Sequence, residues 1–94
     1  MRIPLQVSRQ VLIQNRRGLH ARASAQVVRL AESFKTQNVQ VRYQEMCVSA
    51  QSIMGLLMLG AAQGSVLTIE AEGPDAEQVV TALVALIEGK FGEV

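Results

Sequence analysis

Three stretches of the chain alternate apolar and polar residues, and two others carry apolar residues at helical spacing. Val11 and Ile13 stand between Gln10 and Gln14, which predicts a half-buried strand over 7–14. Val39, Val41 and Tyr43 alternate with Gln40, Arg42 and Gln44 in a second strand. A third, over 46–50, is expected to pair with it as a hairpin, although Gln44-Glu45 is not the Asn-Gly type that a two-residue turn prefers. The fourth, over 66–72, puts Leu67, Ile69 and Ala71 on one face and Thr68, Glu70 and Glu72 on the other. Val27, Val28, Ala31 and Phe34 predict a helix over 21–35, ended by the turn formers Thr36-Gln37-Asn38. Ser52 opens a short helix over 53–59, with Gly60 placed to end it. Gly73-Pro74 starts the last helix, with Pro expected at its first position. Ala76, Val79, Val80, Leu83, Leu86 and Ile87 form its apolar stripe, and Gly89 its end. The opening residues 1–6, broken by Pro4, are expected to fray.

The order is β-α-β-β-α-β-α. Alternating strands imply a sheet with one wet face, and amphipathic helices must cover the other. The economical arrangement is an α+β plate of two layers with an antiparallel sheet.

Composition narrows the field. Ninety-four residues suggest a single domain over 1–94, large enough for one core. A hydrophobic content of 49% argues against disorder. A formal charge of +1 argues against a large polyanionic partner. Two Phe, one Tyr and no Trp offer no stacking platform for nucleic acid. The single cysteine, Cys47, excludes an internal disulfide and supplies no metal set. It reads as a small buried apolar residue. No apolar run is long enough to span a membrane, and 1–7 lacks the pattern of a signal peptide. A cytoplasmic protein is the expectation, with no metal and no cofactor.

Chemistry concentrates in Gly18-Leu19-His20-Ala21-Arg22-Ala23-Ser24, which holds the only histidine. Gly18 permits a sharp turn between strand and helix. His20 then falls at a helix N-terminus, where unpaired N–H groups and the positive end of the dipole favour an anion. Arg22 adds a guanidinium able to grip two phosphate oxygens. A nucleophilic ring nitrogen beside a phosphoryl cradle is the sharp reading, and a surface histidine without function the plain one. Arg16, Arg17 and Arg29 read as solvated charges or as a rim that steers acidic partners. Ile53, Met54, Leu57 and Met58 share a helix too short to bury all of them. They are either core or an exposed docking patch.

Gly18-Leu19-His20-Ala21-Arg22 resembles the active-site signature of the HPr-type phosphocarriers of the bacterial phosphoenolpyruvate-dependent phosphotransferase system. Ser52-Ile53-Met54-Gly55, followed by Leu59-Gly60, resembles that family's regulatory-serine region. The likeness covers about 7–91. Leu56-Leu57-Met58-Leu59 and the ending Ala85 to Phe91 look more like the nitrogen-branch paralogue, NPr, than the sugar-branch carrier. The resemblance implies an open-faced β-sandwich, four antiparallel strands with three helices on one face. It implies a carrier, not an enzyme, acting as a monomer. His20 would accept a phosphoryl group on Nδ1 from enzyme I, or from its nitrogen-branch counterpart, and pass it to an enzyme IIA-type acceptor. Arg22 would stabilise the phosphate. Ser52 would be a regulatory site for an HPr kinase/phosphatase, although Gln51 stands where many regulated members carry Lys. Ile53, Met54 and Leu57 would dock partners. Ala23 departs from the family's proline after the arginine and leaves one more N–H free at the helix start. The competing class is a small α+β metabolite-sensing regulatory module, which predicts no phosphate on His20.

Overall fold

The strand face that the alternation marks as apolar is the face that the helices cover. The computed structural model describes residues 6–36 and 38–93. The elements are β1 (Gln6–Leu12), α1 (Ala21–Glu32), β2 (Asn38–Tyr43), β3 (Met46–Ser49), α2 (Ile53–Met58), β4 (Val66–Glu72) and α3 (Ala76–Glu88), followed by a 3-10 turn, Lys90–Gly92. The four strands form one antiparallel sheet in the order β1-β4-β2-β3. In the central strand β4, Leu67, Ile69 and Ala71 are buried, and their partners Val11, Val39 and Val41 lie on the same face. The other face of the sheet stays open. There Arg42 pairs with Glu70 and Asn38 donates to Glu72. This is the open-faced α+β sandwich expected from the sequence.

α3 lies over β1 and β4, and α1 packs against α2 and α3. The core between the layers contains Val27 and Val28 of α1, Leu56 of α2, and Val79, Val80, Leu83 and Ile87 of α3. Leu86 and Phe34 are half-buried at its margin.

Several boundaries move, each for a local reason. α1 stops at Glu32, three residues short of the expected end. The Ser33 hydroxyl donates to the Leu30 carbonyl at 2.6 Å, and the Asp75 carboxylate accepts the N–H groups of Lys35 (2.8 Å) and Thr36 (3.1 Å). Those amides are thereby taken out of the helix. Gln37, expected in the turn, lies outside the described residues, and Asn38 already belongs to β2. Pro74 is not at the first position of α3. It is the second residue of a β-turn closed by Ala76 N–H to Gly73 carbonyl at 3.2 Å, a position that its fixed φ suits. Asp75 is the N-cap. The β2–β3 hairpin does form, with Gln44 at φ 55° in the place that usually holds Gly. Of the segment expected to fray, Met1–Leu5 lie outside the described residues, whereas Gln6 is paired with Glu72 in β1.

Cys47 corrects the expectation of a buried thiol. It is exposed, because β3 is the edge strand and Cys47 sits on the sheet's open face, with its thiol donating to Gln40. Among the described residues no helix is long and apolar enough to cross a membrane, and no group of three or more His, Cys, Asp or Glu is placed to hold a metal ion.

Candidate functional site

The site is built where β1 hands the chain to α1. Ile13 extends the ladder past β1, donating to the Ser65 carbonyl and accepting from Gly64. Gly18 then turns the chain with φ +66°, and a Cβ there would come within 2.7 Å of the Ala61 carbonyl oxygen. Only glycine fits so close a backbone approach in that conformation. Leu19 N–H donates to the same Ala61 carbonyl at 2.9 Å, which pins the residue just before the helix.

His20 is the N-cap of α1, with an extended backbone. Its carbonyl accepts the first helical bond from Ser24 at 2.8 Å. Its Nδ1 accepts from the Ala23 N–H at 3.4 Å, long for such a bond. The first turn contains no acidic residue to neutralise the helix end. Arg22, two residues in, is exposed and makes no ion pair or hydrogen bond among the described residues.

The opposite wall comes from beyond α3. Lys90, Phe91 and Gly92 follow one another at φ 59°, 56° and 78°, a left-handed run that reverses the chain. Phe91, only 4% exposed, anchors it in the core. The reversal brings Glu93 onto His20. One carboxylate oxygen accepts from His20 Nε2, and the other accepts from Asn15 Nδ2 at 3.0 Å. Asn15 is itself buried and also donates to the Gly18 carbonyl at 2.9 Å. The hydrogen bond from His20, then that from Asn15, hold the Glu93 carboxyl below its ordinary value, with the Arg17 charge adding to the same effect. Arg17, Arg22, Gln26, Phe91, Gly92 and Glu93 line a cleft of about 200 Å³, joined to the ring through Glu93. It offers two guanidinium groups, so it suits an anionic group held by positioning and charge.

Ser52 caps α2 and stands apart from this cleft. Its hydroxyl accepts from the Gly55 N–H at 3.0 Å. The residues after it resolve the choice between core and surface. Ile53, Met54 and Leu57 are 42, 67 and 37% exposed, while Leu56 and Leu59 turn inward. Met58 is exposed as well. Arg29 does not line this cleft; with Gln26, Leu30, Ser33 and Leu86 it lines a neighbouring one. Asn15 and Glu93 have no counterpart among the residues that the sequence singles out. Asn15 sits in a polar loop next to two arginines and looks like one more turn residue. Glu93 is 73 residues from the histidine that it touches. The one signal within reach is the aromatic-glycine pair Phe91-Gly92, which can bury one residue and reverse at the next.

An open-faced sandwich that presents its imidazole at a helix start is the build of a phosphoryl carrier, a protein that holds the group for others and is not an enzyme. The family model for the PTS HPr component phosphorylation site matches residues 7–89. The chain belongs to the HPr-type phosphocarriers of the phosphotransferase system. It is 46% identical to the phosphocarrier protein HPr of Cupriavidus necator over 87 residues, covering 93% of this chain and 97% of that one. It is 39% identical to the phosphocarrier protein NPr of Shewanella violacea over 87 residues, 93% of this chain and 94% of the other. The crystal structure of HPr-C-His from Thermoanaerobacter tengcongensis superposes with a TM-score of 0.88 at 43% identity, covering 94% of this chain and 98% of that chain.

Proposed function

We propose that His20 takes a phosphoryl group from the phosphohistidine of enzyme I, or of its nitrogen-branch counterpart, and hands it to an enzyme IIA-type acceptor. The observation that carries this reading is the seat of His20, whose Nδ1 caps α1 through a long bond of 3.4 Å two residues before Arg22, which has no partner among the described residues. A bond so long gives up the lone pair at little cost. Nδ1 attacks the donor's phosphorus, and the charge on the transferring oxygens meets Arg22 and the N–H groups of the helix start.

The exposed Ile53, Met54 and Leu57 form the docking patch in this reading. Met54 supplies an adaptable surface that suits more than one partner. Ser52, at the edge of that patch, is the regulatory position, open to an HPr kinase/phosphatase where the cell contains one. The chain acts as a single-domain monomer in the cytoplasm.

Incubation with phosphoenolpyruvate and enzyme I tests the acceptor. Acid-labile label on the wild type and none on His20→Ala is the expected result. Label of that kind on the variant overturns the reading. Running the assay with both kinds of enzyme I decides the branch, since the true donor transfers faster.

A further inference from the structure

We propose that Glu93, held in place by Asn15, is a positioning residue for phosphoryl transfer at His20: it keeps the ring proton on Nε2 and answers the positive charge that the ring acquires. This rests on His20 being the phosphoacceptor.

The two contacts of the ring assign its tautomer. A neutral imidazole carries one N–H, and the nitrogen that lacks it accepts. A carboxylate can only accept, so the bond between Nε2 and Glu93 places the proton on Nε2. The Ala23 N–H can only donate, so Nδ1 holds the lone pair. Both ends of the ring agree. Without Glu93 the two tautomers compete, and the molecules with the proton on Nδ1 cannot attack through that nitrogen.

The transfer itself makes the second demand. The N–P bond of the donor breaks while the bond from Nδ1 to phosphorus forms. The donor ring recovers its electron pair, and the Nε2 proton stays where it was. No proton has to move, but the His20 ring ends with a positive charge. A carboxylate seated against Nε2–H meets that charge through a charge-assisted hydrogen bond. The aspartate behind the histidine of a Ser-His-Asp triad orients and stabilises its imidazole in the same way.

Glu93 needs its restraint, because it also lines the cleft that holds Arg17 and Arg22. A free carboxylate there would pair with a guanidinium or face the incoming phosphoryl oxygens. Asn15 prevents this by fixing the second oxygen at 3.0 Å. Two acceptors, Glu93 and the Gly18 carbonyl, converge on its Nδ2 and fix the orientation of the amide. Among the described residues its Oδ1 is buried without a partner, a cost the loop accepts to aim the donor at Glu93. The left-handed run at Lys90 and Phe91 is a second cost, offset by the burial of Phe91. Two local sacrifices converge on a single carboxylate.

Glu93→Gln tests the role. Glutamine keeps the size but both donates and accepts, so it fixes neither proton nor charge. Nitrogen-15 NMR of the ring, at a pH where it is neutral, should show proton on Nε2 in the wild type and a mixture in the variant. Phosphorylation by phospho-enzyme I should slow by about tenfold, the low end for losing one charge-assisted hydrogen bond. An unchanged melting temperature would separate this from a structural loss, and Asn15→Ala should shift the tautomer in the same direction. A wild-type ring protonated on Nδ1, or a variant with unchanged tautomer and rate, overturns the proposal. If the wild type takes no acid-labile label, the acceptor reading falls first and the role of Glu93 in transfer with it.

Discussion

His20 and Ser52 hold corresponding places on two helices. Both are N-caps with extended backbone, and both accept from the N–H three residues on. Serine is one of the best residues for that work and histidine one of the poorer. The distances follow: 3.0 Å to Ser52 Oγ and 3.4 Å to His20 Nδ1. Ser52 is committed to its helix. The lone pair of His20 is lent to α1 and can be withdrawn. Their surroundings diverge further. His20 is gripped by Glu93, which itself lines the cleft of Arg17 and Arg22. Ser52 is followed by Ile53, Met54 and Gly55, with no charge in its first turn. A helix start is therefore not a phosphoryl site by itself. Neighbouring guanidinium groups and a weak cap make it one.

The comparison breaks outright if an imidazole at the second cap does what the first does. In a His20→Ala background, Ser52→His moves the only ring to α2. No label from phospho-enzyme I is expected, because no arginine stands two residues in and no acidic residue fixes the ring. Acid-labile label on that double variant would show that the cap alone suffices.

Arg22 comes next in size. A charge-assisted hydrogen bond contributes about 1.5–3 kcal/mol, so Arg22→Ala should slow transfer by roughly 10- to 150-fold if the bond is made mainly in the transition state. Lysine should restore part of this, as a point charge without the guanidinium fork. A wild-type rate in the alanine variant, measured by stopped transfer from phospho-enzyme I, would leave the cleft's charge to Arg17.

Ser52 separates structure from docking. Ser52→Ala should cost about 1 kcal/mol through the lost cap. That lowers the melting temperature by roughly 4–8 °C in a domain of this size. Ser52→Asp keeps a capping oxygen and gains from the dipole, so its stability should hold. Its negative charge sits at the edge of an apolar patch that a partner must desolvate. Phosphorylation by enzyme I should therefore slow in the aspartate variant and stay near wild type in the alanine variant. Equal rates in all three proteins would reduce Ser52 to a cap.

Much of this contrast is legible in the sequence, because both caps follow from local pattern. The register of β4 is visible in Leu67, Ile69 and Ala71. The cap at His20 is visible in Gly18 and in the apolar spacing that starts at Val27. The gaps are of another kind. Cys47 is exposed because β3 takes the sheet edge, and strand order is not written in a strand's own residues. Pro74 suits a β-turn as well as a helix start, and the Gly73–Ala76 hydrogen bond decides between them. The contact of Asn15 with Glu93 spans 78 residues and depends on two non-glycine residues in left-handed conformation. No propensity announces that pair, since Lys and Phe at positive φ are unusual. Pattern reads the nucleophile and its cations, and only the closed fold reads what holds the far side of the ring.

The smallest expected effect belongs to Ala23→Pro, which restores the residue that the family usually has after its arginine. At the third position of a helix the N–H has no intrahelical partner, so proline breaks no rung of α1. Here, however, that N–H points at His20 Nδ1. The Cδ of proline would take the hydrogen's place and press on the ring, which must tilt toward Glu93 or out into the cleft. Ala23 is fully buried, but the added atoms lie on the side of its amide, toward the histidine. The lost hydrogen bond is long and weak, and proline returns about 0.4–1 kcal/mol by restricting the unfolded chain. The two nearly cancel, so stability should stay within about 1 kcal/mol of wild type. Nδ1 no longer has a donor to shed, so the rate of phosphorylation should match the wild type or exceed it slightly. Thermal melts together with the transfer assay check both halves. A loss of more than about 2 kcal/mol, the scale of a broken helix interior, would place Ala23 deeper in α1 than the third position. A clear fall in rate at full stability would mean that the Ala23 N–H does more than occupy the lone pair and is one of the donors that steady the phosphoryl group itself.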